Sequence, residues 1–174
     1  MLFLIAGKPG KARRMHCSAF AAIRILWDFK SVSDVIREIV ARLRSKHANE
    51  MSSRLPSAER EFEPIKSLYS QAEFVGWTVE GGLSASELLN ELGFAIAVGF
   101  YRNELDFDFC DRVANDLFAT MNSLCPGGTD LLMSVFLAFD SGEYYHDENH
   151  SIHPVDRFTR PRIAEIVEER MPKV

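Results

Sequence analysis

Near the end of the chain, three histidines crowd into the polar stretch EYYHDENHSIHP, which runs from Glu143 to Pro154. His146, His150 and His153 stand beside Asp147 and Glu148, and neutral imidazole with carboxylate is a donor set that suits Zn2+ and related transition metals. A metal-dependent hydrolase built on these three histidines is therefore one function the residues offer. The spacing HxxxHxxH lines up ligands only along a helix, however, and Pro154 disfavours continuing one. Read simply, the three are solvated loop histidines, and no metal or cofactor is expected. Tyr144 and Tyr145 make the same loop a candidate contact surface, because exposed tyrosines offer a large and rigid contact area.

Carboxylates are the other residues that could do chemistry. Asp106 with Asp108, and Asp140 with Glu143, lie near turns and could pair as general acid and base. Hydrolysis by two carboxyls needs them opposed across a substrate, and nothing in these spacings supplies that. Asp106 and Asp108 are more simply the opening residues of a helix. No serine nucleophile elbow, HExxH, CxxC or dinucleotide turn is present. The loop GKPGKARR lacks the spacing of a phosphate-binding loop, and neither Ser nor Thr follows Lys11. No catalytic residue is assigned, and a non-enzymatic role is favoured.

The element that positions the first acids is the stretch DFDFCDRVANDLFATMNSL, Asp106 to Leu124. Its apolar residues, among them Phe107, Cys110, Val113, Leu117 and Met121, recur in steps of three and four, which places them on one helical face. Asp106, Asp108, Asp111 and Asp116 gather towards its start, where carboxylates favour the positive end of the helix dipole. In front of it, Ser84 and Glu87 form a capping box for a helix reaching to about Arg102. The short turn from Asn103 to Leu105 makes the two an antiparallel hairpin. Gly93 and Gly99 weaken the first of them intrinsically but admit a close neighbour. Cys125-Pro-Gly-Gly ends the central helix, Thr129 caps the next, and Asp140-Ser-Gly ends that one. A last helix is expected from Arg160 or Pro161 to Glu169. Upstream, Ser31 opens a helix with the stripe Val32, Val35, Ile36, Ile39, Val40 and Leu43. Another helix is expected over residues 58–72, or from Glu63 with Pro64 at its first position, and Val75, Trp77 and Val79 alternate as in a short strand or a packed loop. The fold class is all-α, a compact bundle of four to six helices.

Charge divides the chain. Residues 1–50 carry ten Lys/Arg against four Asp/Glu, and residues 51–174 carry ten against twenty-one. The first part reads as a basic extension and the second as an acidic helical domain, with residues 51–60 as a polar linker. The first 27 residues of the extension, with several Arg and no acid, have the composition of an organelle transit segment, and the extension could also be an upstream start of translation with Met51 opening the domain proper. It could also mediate self-association by meeting the acidic domain of another copy. A net charge of −11 over residues 51–174 argues against nucleic-acid binding and for a protein partner with a basic surface. No apolar run approaches the ~20 residues that span a bilayer, and basic residues follow the apolar MLFLIA instead of preceding it, so no secretion or membrane partner is expected. Cys17, Cys110 and Cys125 are odd in number and read as small buried thiols of a cytoplasmic protein.

The segments AFDSGEYYHDENHSIHPVDRFTRP and ELDFDFCDRVANDLF resemble those of small, acidic, helical bacterial proteins, the colicin-type immunity proteins among them. The likeness spans residues 60–170 and lies in an acid-rich helix followed by an FDSGE turn. It implies a protein that binds and blocks a toxin made by the same cell, with carboxylates on a rigid face docking against a basic nuclease. The docking face would gather Asp106, Asp108, Asp111, Asp140, Glu143, Asp147 and Glu148, with Tyr144, Tyr145 and, if exposed, Phe107 as anchors.

Overall fold

The computed structural model describes residues 31–53, 66–145 and 150–171. They form α1 (Val32–Ser53), α2 (Gln71–Gly81), α3 (Ala85–Tyr101), α4 (Phe107–Leu124), α5 (Asp130–Asp140) and α6 (Arg160–Arg170), with a π-helical turn, Val155–Thr159, leading into α6. No strand occurs among the described residues, and the architecture is the all-α bundle expected from the periodicity.

Helices α3, α4 and α5 are the centre of the bundle. Leu88, Leu89, Leu92, Ile96 and Ala97 of α3 are fully buried, as are Cys110, Ala114 and Leu117 of α4 and Leu132, Val135 and Phe139 of α5. Phe100, Phe107 and Phe139 meet edge-on or tilted where the three helices converge, in the geometry aromatic quadrupoles prefer. Gly99 lets Leu105 fold back over α3: a Cβ there would lie 2.4 Å from Leu105 Cδ1. Asn103, at φ 57°, supplies the left-handed step of this tight α3–α4 turn. Ser84 and Glu87 exchange both bonds of the capping box, the Ser84 N–H donating to Glu87 Oε2 at 2.8 Å.

Three upstream expectations change. Helix α1 runs through the boundary drawn at Met51, and Val35, Ile36, Ile39 and Leu43 share the common core, so this part of the basic segment packs as a member of the bundle. The alternating stretch from Phe74 to Glu80 is helix α2, with Phe74 and Trp77 buried three residues apart and Val75 and Val79 left outside. The deciding feature is a second capping box, Ser70 with Glu73, which opens α2 at Gln71. Residues 66–70 are not helical, so the helix expected over residues 58–72 does not extend through them; residues 54–65 lie outside the described residues. Thr129 stands at the N-terminus of α5 but does not cap it, because its hydroxyl and N–H both face Met121 Sδ.

Candidate functional site

The start of α4 and the end of α5 meet at an acidic corner. Asp106 fixes the first turn of α4 by accepting the Phe109 N–H on Oδ1 at 2.8 Å. That places Asp108 outward and Asp111, one turn further, half-buried beneath it. Helix α5 closes with Gly142 N–H donating to Phe139 O at 2.8 Å and Glu143 N–H to Asp140 O at 3.2 Å. Gly142 is buried, and a Cβ on it would lie 2.2 Å from Thr159 Oγ1 and 2.8 Å from Phe107 Cε2. No side chain fits, so the turn presses against the bundle and carries Glu143 to the side of α4 that bears Asp111.

One amide group links the two carboxyls. Asn115 Nδ2 donates to Asp111 O at 3.1 Å and Asp111 Oδ1 at 3.3 Å, and reaches Glu143 Oε1 at 3.5 Å. Burial pushes the Asp111 carboxyl up to about 7, and the charge and hydrogen bond of Glu143, then Asp140 and Asp108, push the same way. Among the described residues no Lys or Arg is ion-paired with Asp108, Asp111, Asp140 or Glu143. Many acids elsewhere have such a partner: Asp34 with Arg37 at 2.9 Å, Glu73 with Lys46 at 2.6 Å, Asp156 with Arg160 at 3.0 Å and Glu165 with Arg162 at 2.8 Å.

Of the acids expected on one face, Asp108, Asp140 and Glu143 are brought within electrostatic reach of Asp111. Asp106 is taken up by its capping bond. Tyr144 and Tyr145 follow directly and are exposed, and the Tyr145 ring stacks on His150 at 4.2 Å with His153 at 6.1 Å. Phe107 is no exposed anchor, since it packs against Phe100 and Phe139. His146, Asp147 and Glu148 lie outside the described residues, and among those described no three His, Cys, Asp or Glu side chains converge to hold a metal.

No family model matches the chain, and no curated protein or solved structure matches it. Among the described residues no single helix is long and apolar enough to cross a membrane.

A second polar cluster was not legible beforehand. Asp116 reads as one more acid near the start of α4, yet it is 8% exposed and turned into the bundle. Its Oδ2 accepts the Leu68 N–H at 2.8 Å, and its main-chain oxygen accepts the Tyr69 hydroxyl at 3.1 Å. Arg112 lies 3.9 Å from the same carboxylate and 3.8 Å from Glu50 of α1, and it donates to the Lys66 carbonyl. Burial raises the Asp116 carboxyl above its usual range, opposed by the Leu68 bond and the Arg112 charge. This cluster ties α1, the loop before α2 and α4 together. Cys110 is equally inward: its thiol faces Ile96 O at 3.7 Å, and burial drives its acidity down.

Proposed function

We propose that the chain is a non-enzymatic protein-binding module, of the toxin-neutralising immunity type, that docks a basic partner on the corner formed by α4 and the end of α5. The observation that carries this reading is the set of carboxylates at Asp108, Asp111, Asp140 and Glu143, gathered without an ion-paired Lys or Arg among the described residues. Like charges held together by a rigid scaffold raise the energy of the free protein, and a cationic partner removes that repulsion on docking. Rigidity comes from the Asp106 cap and the packed Gly142, so the carboxylates are preorganised and little ordering cost falls on binding. Exposed Tyr144 and Tyr145 border the acids and provide the apolar area that charge alone does not. A nuclease surface made to hold phosphates is a partner of the right sign.

The test is binding to a purified basic nuclease domain of the colicin type, or to any toxin domain found encoded beside the gene. Calorimetry should give a stoichiometric complex that the paired neutralising variant Asp108→Asn/Asp140→Asn weakens by about tenfold or more, with an unchanged melt. Unaltered affinity in that variant, or the absence of a complex, overturns the reading.

A further inference from the structure

Helix α2 is apolar on both of its long sides. Phe74 and Trp77 pack into the core with Tyr69, while Ala72, Val75, Gly76 and Val79, spaced three and four apart, line the opposite side. Val75 is 50% and Val79 79% exposed, and a Cβ on Gly76 would meet nothing within 4 Å. Glu73 and Glu80 flank this outer stripe along one edge, and α2 holds no Lys or Arg. A helix that is apolar all round is normally covered on every side, and among the described residues the outer stripe of α2 has no cover.

Connectivity and charge point to the occupant. Residues 1–30 lie outside the described residues and join α1 at Ser31. The first turn of α1 closes with the Val35 N–H donating to Ser31 O at 3.1 Å, and Val35 sits against the end of α2, where a Cβ on Gly81 would lie 3.7 Å from Val35 Cγ1. Lys46 pairs with Glu73 at 2.6 Å, so α1 runs antiparallel beside α2. The apolar run Ser18–Phe29, with Phe20, Ile23, Leu26 and Trp27, therefore joins the bundle at the Val79 end of the stripe. Its length suffices to follow α2, which spans about 16 Å. Residues 1–30 carry six Lys/Arg against one Asp, opposite in sign to Glu73 and Glu80.

Other occupants fit less well. Side chains no larger than valine offer a small part of the ~800 Å2 per partner that holds two separate molecules together. A tethered segment needs no such area, because its effective concentration beside the stripe is about millimolar. Residues 54–65, which precede the loop into α2, carry three Glu against two Arg and so lack the complementary charge. We propose that Ser18–Phe29 packs along Ala72, Val75, Gly76 and Val79 as an internal strap, completing the bundle on the outer side of α2.

Trp27 reports on this contact. Trp27 and Trp77 are the two tryptophans of the chain, so Trp77→Phe leaves Trp27 as the single emitter. In the full chain Trp27 should emit at short wavelength and be shielded from acrylamide. Val75→Lys/Val79→Lys should move the emission to the red and raise the quenching constant by about threefold, and tryptic cleavage after Arg24, followed in the otherwise wild-type chain, should speed up by about tenfold. Gly76→Gln should act in the same way, because its side chain enters open space among the described residues and disturbs only what lies over the stripe. Far-UV dichroism controls for the fold, and the cleavage assay does not need Trp77→Phe, so a defect in that background leaves the test intact. A Trp27 open to solvent from the outset, emission and cleavage indifferent to these variants, or shielding that fades on dilution, as a second copy would give, overturns the proposal.

Discussion

The carboxylate of Asp116 accepts the backbone N–H of Leu68 at 2.8 Å, across 48 positions of sequence, inside the protein. This bond gives the loop before α2 its place on α4. Asp116→Ala leaves the Leu68 N–H buried without an acceptor and removes an acid beside Arg112. A buried donor without a partner costs about 1–3 kcal/mol, so a loss of that size is expected in urea unfolding. A variant as stable as wild type would mean that the loop is held by other contacts.

Gly142 sets the acidic corner by having no side chain. Gly142→Ala puts a methyl group 2.2 Å from Thr159 Oγ1, and an overpacked site of this kind costs about 1–3 kcal/mol. The Thr159 hydroxyl is buried and makes no hydrogen bond among the described residues, so Thr159→Ala should be mild alone and should recover part of the Gly142→Ala loss in the double variant. Thermal melts of the three variants check this, and additive losses would contradict the steric account.

The two capping boxes should be worth separate, local amounts. Ser70→Ala and Ser84→Ala each remove a side-chain acceptor for a helix N-terminal N–H, with an expected cost of about 1 kcal/mol. Glu73 adds a pH signature. The Lys46 ammonium, the Ser70 bonds and the Lys46 charge hold its carboxyl down at about 2. A depressed acid stabilises the native state once the unfolded chain is ionised, so this contribution is present above about 4.5 and is lost as pH falls towards 2. Lys46→Ala should flatten that acid limb in pH-dependent melts, and an unchanged limb would show that the pair contributes nothing measurable.

Asp111 works with the opposite sign. Its folded value, about 7, lies above the ordinary 3.8, so between these the native state holds more protons than the unfolded chain. Stability from this group therefore falls as pH rises across that window and is level above it. Asp111→Asn should melt higher than wild type near pH 8, where the charge is a burden, and close to wild type near pH 4. A variant that is less stable than wild type near pH 8 would contradict this.

Legibility in the sequence followed the range of the interaction. Helix α4 and its Asp106 cap could be read because steps of three and four and an acid at the start are local facts. So could α3, through Ser84 and Glu87. Helix α2 was hidden by the alternation of Val75, Trp77 and Val79, although Ser70 and Glu73 carried the same signal as the box that was recognised. In the acidic corner, Asp108, Asp111, Asp140 and Glu143 were legible as acids near turns. Their convergence depends on how Gly142 packs against Thr159, a contact no spacing reveals. Asp116 was the least legible, since a charged residue on a helix looks solvated until its partner, here Leu68, is known.

The most direct test of the docking account is the salt dependence of association with a basic nuclease domain, measured by stopped flow on wild type and on Asp108→Asn/Asp140→Asn. Between about 50 and about 500 mM salt the Debye length shrinks severalfold, and the wild-type association rate should fall by about tenfold or more while the variant, already slow, changes less. A wild-type rate that is indifferent to salt, or equal to that of the variant throughout, would contradict an acidic docking face.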